Sequence, residues 1–405
     1  MTWMNIGRVM AIAALALAVG CGSPSRSHAV PHELQNHAVV TGLSPGIRTW
    51  GGAANPAFMQ SMAQSVVYER EALAAAGHTG GLPPAEFLAI SGGGQNGAFG
   101  AGMMCAWTER GDRPAFKIVT GISTGALTAP FVFAGSEWDH VLREVYTKTK
   151  TSDIMTMKGA LSAVFDESMS DTKPLWKLVE KYVDEKLLAA IAAEHRRGRL
   201  LILGTTNLDA RRAVLWNVGE IAAGGSPDAL KVIRKIMIAS AAIPAAFPPV
   251  LIDVEVNGEK YQEMHVDGGA MTQVFLYPPS MKLKEQAEAA GIMRERRAYI
   301  IRNSRVDPDW AEVARNTLSI AARAIDAMIT TQGIGDLYRI YLNCKRDDVD
   351  FNLAYIPPTF EVKPKEAFDP EYMTKLFQTG YDMVKNGYPW QKTPPGFDKP
   401  PENLD

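Results

Sequence analysis

Twice between residues 85 and 134 the chain passes from a short apolar run directly into glycine and then into an apolar, helix-like stretch. The first passage is Ala85–Ile90, then Ser91-Gly92-Gly93-Gly94-Gln95-Asn96-Gly97, then Ala98–Arg110 closed by Gly111. The second is Phe116–Val119, running into Gly121-Ile122-Ser123-Thr124-Gly125 and another apolar helix. Apolar runs this short, without polar alternation, suit strands buried on both faces. Strands that alternate with helices form a parallel sheet with helices over it. Leu200–Leu203 and Ala298–Ile301 extend the series, and helical periodicity over Ala57–Gly77, Leu230–Ala242 and much of Ala311–Tyr341 supplies the covering layers. The expected fold is α/β, a three-layer α/β/α arrangement around a mainly parallel central sheet.

Composition narrows the function classes. With 42 basic and 44 acidic residues among 405, the net charge is −2, without the basic excess of a nucleic-acid binder. A hydrophobic share of 46% excludes a disordered chain, and three cysteines exclude a disulfide scaffold. Cys105 and Cys344 lie far apart and form no CxxC pair, so no metal site and no cofactor is expected, and Cys105 reads as a buried free thiol.

The first residues read as a targeting segment. Arg8 precedes an apolar run from Val9 to Val19, too short to cross a bilayer as a helix and fitting a signal peptide over 1–20. Leu17-Ala18-Val19-Gly20-Cys21 resembles the lipobox of bacterial lipoproteins, with Ala18 where Leu is usual. That likeness implies lipidation at Cys21 and anchoring in the cell envelope, at the outer membrane given Gly22. A Gly-, Ser- and Pro-rich tether is expected over 21–56, a single core over 57–385, and an extended Pro-rich tail over 386–405.

Three motifs carry chemistry. The Gly92–Gly97 loop follows a strand and opens a helix. Without Cβ atoms its backbone amides can converge on an anion, either a bound phosphate or an oxyanion formed in a reaction. A non-catalytic phosphate- or nucleotide-binding role for this loop is therefore one reading. Gly121-Ile122-Ser123-Thr124-Gly125 is a GxSxG between a strand and a helix, where a nucleophile elbow belongs. A serine hydroxyl needs a base. His140 and His195 sit among charged residues and read as solvated. His265 would complete a conventional triad with Ser123. Asp267, in Asp267-Gly268-Gly269, ends a strand-like segment and, if desolvated, can take the proton directly.

In this order the glycine loop, GxSxG and Asp-Gly-Gly resemble the patatin-like phospholipases over about residues 84–305, as does Ser240-Ala241-Ala242-Ile243-Pro244 through Pro249. The resemblance implies a lipolytic serine acyl hydrolase, acting on phospholipid or another acyl ester without a metal. Ser123 would be the nucleophile and Asp267 the base, with Gly92, Gly93 and Gly94 as oxyanion donors. Gly97, Gly121, Gly125, Gly268 and Gly269 would support the turns. Asn96 stands where the family usually has Lys or Arg. Two further expectations come from the residues themselves. The charge clusters His195–Arg199 and Arg294–Arg297 read as solvated, and Thr151–Lys158 as a surface loop or a lid.

Overall fold

The computed structural model describes residues 26–52, 55–158 and 166–398. The strands are β1 (Val39–Val40), β2 (Arg48–Trp50), β3 (Ala85–Ile90), β4 (Ile118–Ile122), β5 (Thr156–Met157), β6 (Ser170–Asp171), β7 (Leu200–Asn207), β8 (Arg212–Asn217), β9 (Val250–Val256), β10 (Glu259–Asp267), β11 (Arg296–Arg302) and β12 (Asp350–Tyr355). The longer helices are α1 (Pro56–Ala75), α2 (Gly97–Arg110), α3 (Thr124–Ala134), α4 (Asp139–Lys148), α5 (Lys173–Tyr182), α6 (Glu185–Arg196), α7 (Ala229–Ser240), α8 (Thr317–Arg346) and α9 (Pro370–Lys385).

Five strands, in the order β7-β4-β3-β11-β12, are parallel and form the centre of the sheet. Along them successive side chains enter two different cores. Leu88, Ile90, Leu201 and Leu203 join the larger core beneath α2, α3, α4, α6, α7 and α9. Phe87, Ala89, Leu200 and Ile202 join the smaller one, with Phe58 of α1 and Leu337, Ile340 and Tyr341 of α8. The alternation of side chains along a strand thus gives three layers from continuous apolar runs.

Antiparallel strands flank this centre. β7 bonds β4 through Leu200–Gly204 and β10 through Thr205–Asn207, while β8 bonds it through Ile202–Asn207. Because β8 overlaps both partners, β4 and β10 must share the opposite edge of β7. The carboxyl end of β4 and the carboxyl end of β10 therefore meet tip to tip.

Two sequence-based boundaries are corrected. The stretch expected as a tether over 21–56 is part of the folded body from Val30 onward. β1 pairs with β9, β2 with β8, and Ile47 and Arg48 are buried. The tail expected over 386–405 does lack regular structure through 398, but Gln391 bridges Leu353 and Trp390 packs on Trp107 and Tyr299. It straps the core instead of trailing from it. The signal-peptide and Cys21 readings lie outside the described residues. The strand expected at Phe116–Val119 starts two residues later and runs on through Ile122. Helix α8 begins only at Thr317, six residues later than expected.

Candidate active site

Ser123 occupies the turn between β4 and α3 at φ 54°, ψ −123°, a left-handed conformation that costs a non-glycine residue energy. Neighbouring glycines let the turn close. A Cβ on Gly121 would lie 2.4 Å from the Gly125 carbonyl oxygen, and one on Gly125 would lie 2.2 Å from that of Ile90. The Ser123 amide donates to the Ser240 hydroxyl at 2.9 Å, which in turn donates to the Gly204 carbonyl at 2.6 Å. Ser240, at the end of α7, thus fixes the strained turn from outside it.

Asp267 is the last residue of β10 and is 5% exposed, as is Ser123. Its carboxylate accepts the Gly269 amide at 2.7 Å and has the Ser123 hydroxyl as its neighbour, and both lower its pKa. Burial outweighs those two contacts and pushes the carboxyl up to about 6. Gly268 must be glycine here, since a Cβ would lie 2.6 Å from the Gly204 carbonyl and 2.8 Å from Ile122 Cδ1.

The glycine loop closes over this pair. A Cβ on Gly92 would lie 3.2 Å from Ser123 Cβ. Its amide, however, donates to the Gln273 carbonyl at 3.0 Å, so the expectation of three free donors is corrected. The amides of Gly93 and Gly94 carry no hydrogen bond among the described residues. Gly93 has φ 151°, and a Cβ there would run into the Asn303 carbonyl at 2.2 Å, so no other residue fits. Gly97 packs with no room to spare against Thr124 Oγ1 and Tyr146. Tyr146 is buried, and burial raises its phenol above the ordinary value. It shares hydrogen bonds with Thr124 and Thr128 at 2.6 and 2.8 Å.

His265 does not join the pair. Its Nδ1 is 2.9 Å from the Thr205 hydroxyl and its Nε2 is 3.0 Å from Glu263, which is bound by Arg48 at 2.6 Å. Burial lowers its basicity further. The conventional-triad reading is therefore corrected, since both ring nitrogens serve a structural ion cluster. His195, expected in solvent, is 5% exposed and burial holds it down to about 4. Arg199 is half-buried, donating to the carbonyls of Phe116 and Phe133. His140 is exposed as expected.

Residues that the motifs did not mark also shape the site. Gln273 sends its amide nitrogen to the Gly269 carbonyl at 2.7 Å while its own carbonyl holds Gly92. Asp336 of α8 accepts the Gln273 amide at 2.6 Å and the Thr272 hydroxyl at 2.9 Å. Its one visible signal is an acidic residue within the apolar stripe Gly333, Leu337, Ile340. Asn96 accepts the Tyr372 hydroxyl at 2.8 Å and so ties the loop to α9.

Beside the pair lies an apolar cavity of about 70 Å³. Gly94, Thr124 and Leu127 line it, together with Val145, Leu175, Met237 and Met373. Ile154, in the segment expected as loop or lid, lines it too. Among the described residues no group of three or more His, Cys, Asp or Glu could hold a metal ion.

A strand-to-helix serine, a desolvated carboxyl and a glycine loop thus stand together beside an apolar cavity. The model of the family described as Patatin-like phospholipase matches residues 88–277, and the chain carries a patatin-like phospholipase domain there. No curated protein matches the chain in sequence. Solved structures similar to it include VipD from Legionella pneumophila, at 12% identity and TM-score 0.37, covering 75% of this chain and 66% of that one. Human GIVD cytosolic phospholipase A2, also 12% identical with TM-score 0.37, covers 79% and 53%. ExoU of the Pseudomonas aeruginosa type III secretion system, in complex with SpcU, matches at 12% identity and TM-score 0.32 over 76% and 53%. The chain thus spans between about half and two thirds of those chains' lengths.

Proposed function

We propose that the protein is a carboxylic ester hydrolase that cleaves acyl chains from phospholipid or a related acyl ester through a Ser123–Asp267 dyad. The single observation that carries this reading is the Ser123 side chain set beside a buried carboxyl that burial holds near 6. A carboxyl of that basicity is largely ionised at neutral pH, yet far better placed to take a proton than an ordinary aspartate. Asp267 accepts the Ser123 proton as the oxygen attacks the ester carbonyl, giving a tetrahedral intermediate. The amides of Gly93 and Gly94 stabilise its oxyanion, each worth about 3 kcal/mol in comparable sites. Collapse releases the alcohol or lysolipid, which takes the proton from Asp267. Water, giving its proton to the same carboxylate, then attacks the acyl-serine carbonyl, and the Ser123 oxygen leaves with that proton from Asp267 as the fatty acid is released. The acyl chain occupies the apolar cavity, which has to widen for a long chain to enter.

Cys21 remains the proposed lipid anchor, in a bacterial envelope and at its outer membrane. The test is a fluorophosphonate probe with peptide mapping, together with fatty-acid release from mixed micelles. Labelling of Ser123 and loss of both signals in Ser123→Ala are expected. Hydrolysis that persists in Ser123→Ala and Asp267→Asn alike would refute the dyad.

A further inference from the structure

Helix α8 turns its amphipathic pattern around halfway along its length. In its second half the stripe Gly333, Leu337, Tyr341, Cys344 is buried in the smaller core, as a covering helix requires. Followed back toward the amino end at the same helical spacing, that stripe becomes Ser319, Arg323, Asp326 and Thr330. Arg323 there binds Asp309 and Asp326. The opposite side carries Ile320, Ala321, Ala324, Ile325, Ala327 and Met328, and no charge. Ile320, Ile325 and Met328 are 55%, 56% and 70% exposed. Trp310, next to the Asp309 that Arg323 holds, is 83% exposed. The polar side is the less exposed one, with Ser319, Arg323 and Thr330 half-buried, and a helix that leaves its apolar side to solvent is suited to a second apolar phase.

The fold says where that phase lies. Gln332 contacts Gln273 at 3.2 Å, beside the Asp267–Gly269 turn. From there the fifteen residues back to Thr317 reach about 22 Å beyond the carboxyl ends of the parallel strands, the end at which Ser123 sits. Met271 and Leu208, each 41% exposed, lie at the same end. So does the point where residues 1–25 join the described chain. Arg26 is clamped to Asp209, just past the end of β7, at 2.9 Å, and to the Gln262 carbonyl at 2.7 Å. Cys21 is five residues upstream, within about 18 Å of that clamp. The apolar run Val9–Val19 precedes it. Among the described residues no helix is long and apolar enough to cross a membrane.

The geometry points to the first half of α8, with Trp310, as a surface that docks flat on a lipid bilayer and holds the site's mouth against it. The uncharged face fits the hydrocarbon boundary and not a charged protein, and the described chain begins at Arg26 on the same end of the fold. The catalytic consequence rests on the acyl-hydrolase reading. The docking itself can be measured without turnover.

The experiment uses the full chain with Cys21→Ser and an environment-sensitive thiol dye at Met328→Cys, mixed with phosphatidylcholine vesicles containing brominated lipid. Cys105 and Cys344 are buried and spared. The dye is expected to shift to the blue and be quenched, whereas the same dye at Arg339→Cys, in the second half of the helix, stays in water. Vesicles that carry the protein while the dye at 328 remains unquenched would overturn the proposal. So would a blue shift without lipid accompanied by dimerisation, which would assign the face to a second copy of the chain. Ile320→Ser, Ile325→Ser and Met328→Ser together are expected to lower hydrolysis of vesicle phospholipid by at least about tenfold. The rate on a soluble short-chain ester should stay within about twofold. If neither substrate is cleaved by the wild type, the hydrolase reading fails, and quenching at 328 still decides the docking.

Discussion

Glu263 and Asp267 lie four residues apart on one face of β10, and both are buried, yet their carboxyls move in opposite directions. Glu263 faces Arg48 and His265, and these hold it down to about 2 although burial alone would raise it. Asp267 faces one hydroxyl and one amide, and burial raises it to about 6. Desolvation is common to both, so the partner decides the outcome. One carboxylate is an ion-pair anchor that clamps the amino-terminal segment to the sheet. The other is kept short of partners and so can take a proton. Burial of an acidic group therefore marks a site only where no cation accompanies it.

The comparison breaks most directly at Asp267. Asp267→Asn is expected to lower fatty-acid release by about a thousandfold or more, while raising stability at neutral pH by roughly 1–3 kcal/mol. The sign follows from the raised carboxyl, because the folded state disfavours its ionised form and loses stability as pH rises from the ordinary aspartate range through about 6. Thermal melts and initial rates on one preparation test both halves. Lower stability in Asp267→Asn would sink the idea of a strained carboxyl.

Glu263→Gln should do the reverse. It strands Arg48 in a dry interior and is expected to cost about 3–5 kcal/mol of stability, read by urea unfolding, without changing the rate of the protein that remains folded. The Glu263 contribution is present above the ordinary glutamate range and is lost as pH falls toward about 2.

Smaller effects sharpen the picture. Asp336→Asn replaces the charged acceptor that positions Gln273 and hence Gly92 with a weaker amide oxygen and an NH2 donor, and is expected to lower kcat about tenfold with KM little changed. A matching fall for Asp336→Ala but none for Asp336→Asn would instead assign it a packing role. Finally, the wild-type rate should climb with pH and level off above about 6, following Asp267. A rate independent of pH from 5 to 8 would deny Asp267 the role of base.

Much of this was legible before any coordinates. The apolar runs at Ala85–Ile90 and Leu200–Leu203, each too short for a helix, required strands, and the glycines around Ser123 required a close-packed turn. Those signals are local, since they depend on the space a Cβ would fill and on the period of one element. Three things were not local. The segment around Ile47 and Arg48 looked like a tether because its composition is Gly- and Pro-rich. It is folded because Arg48 finds Glu263, 215 residues away. His265 looked available until Thr205 and Glu263 took both its nitrogens. Gly92 looked like an oxyanion donor until Gln273, from a loop held by α8, took its amide.

The sequence by itself determined which residues could bear the chemistry, because strained turns and close backbone approaches need glycine and tolerate little else. Only the tertiary structure decided which of them act together. The meeting of Ser123 and Asp267 depends on β7 exchanging one neighbour for another along a single edge, a hydrogen-bonding choice made among strands far apart in the chain.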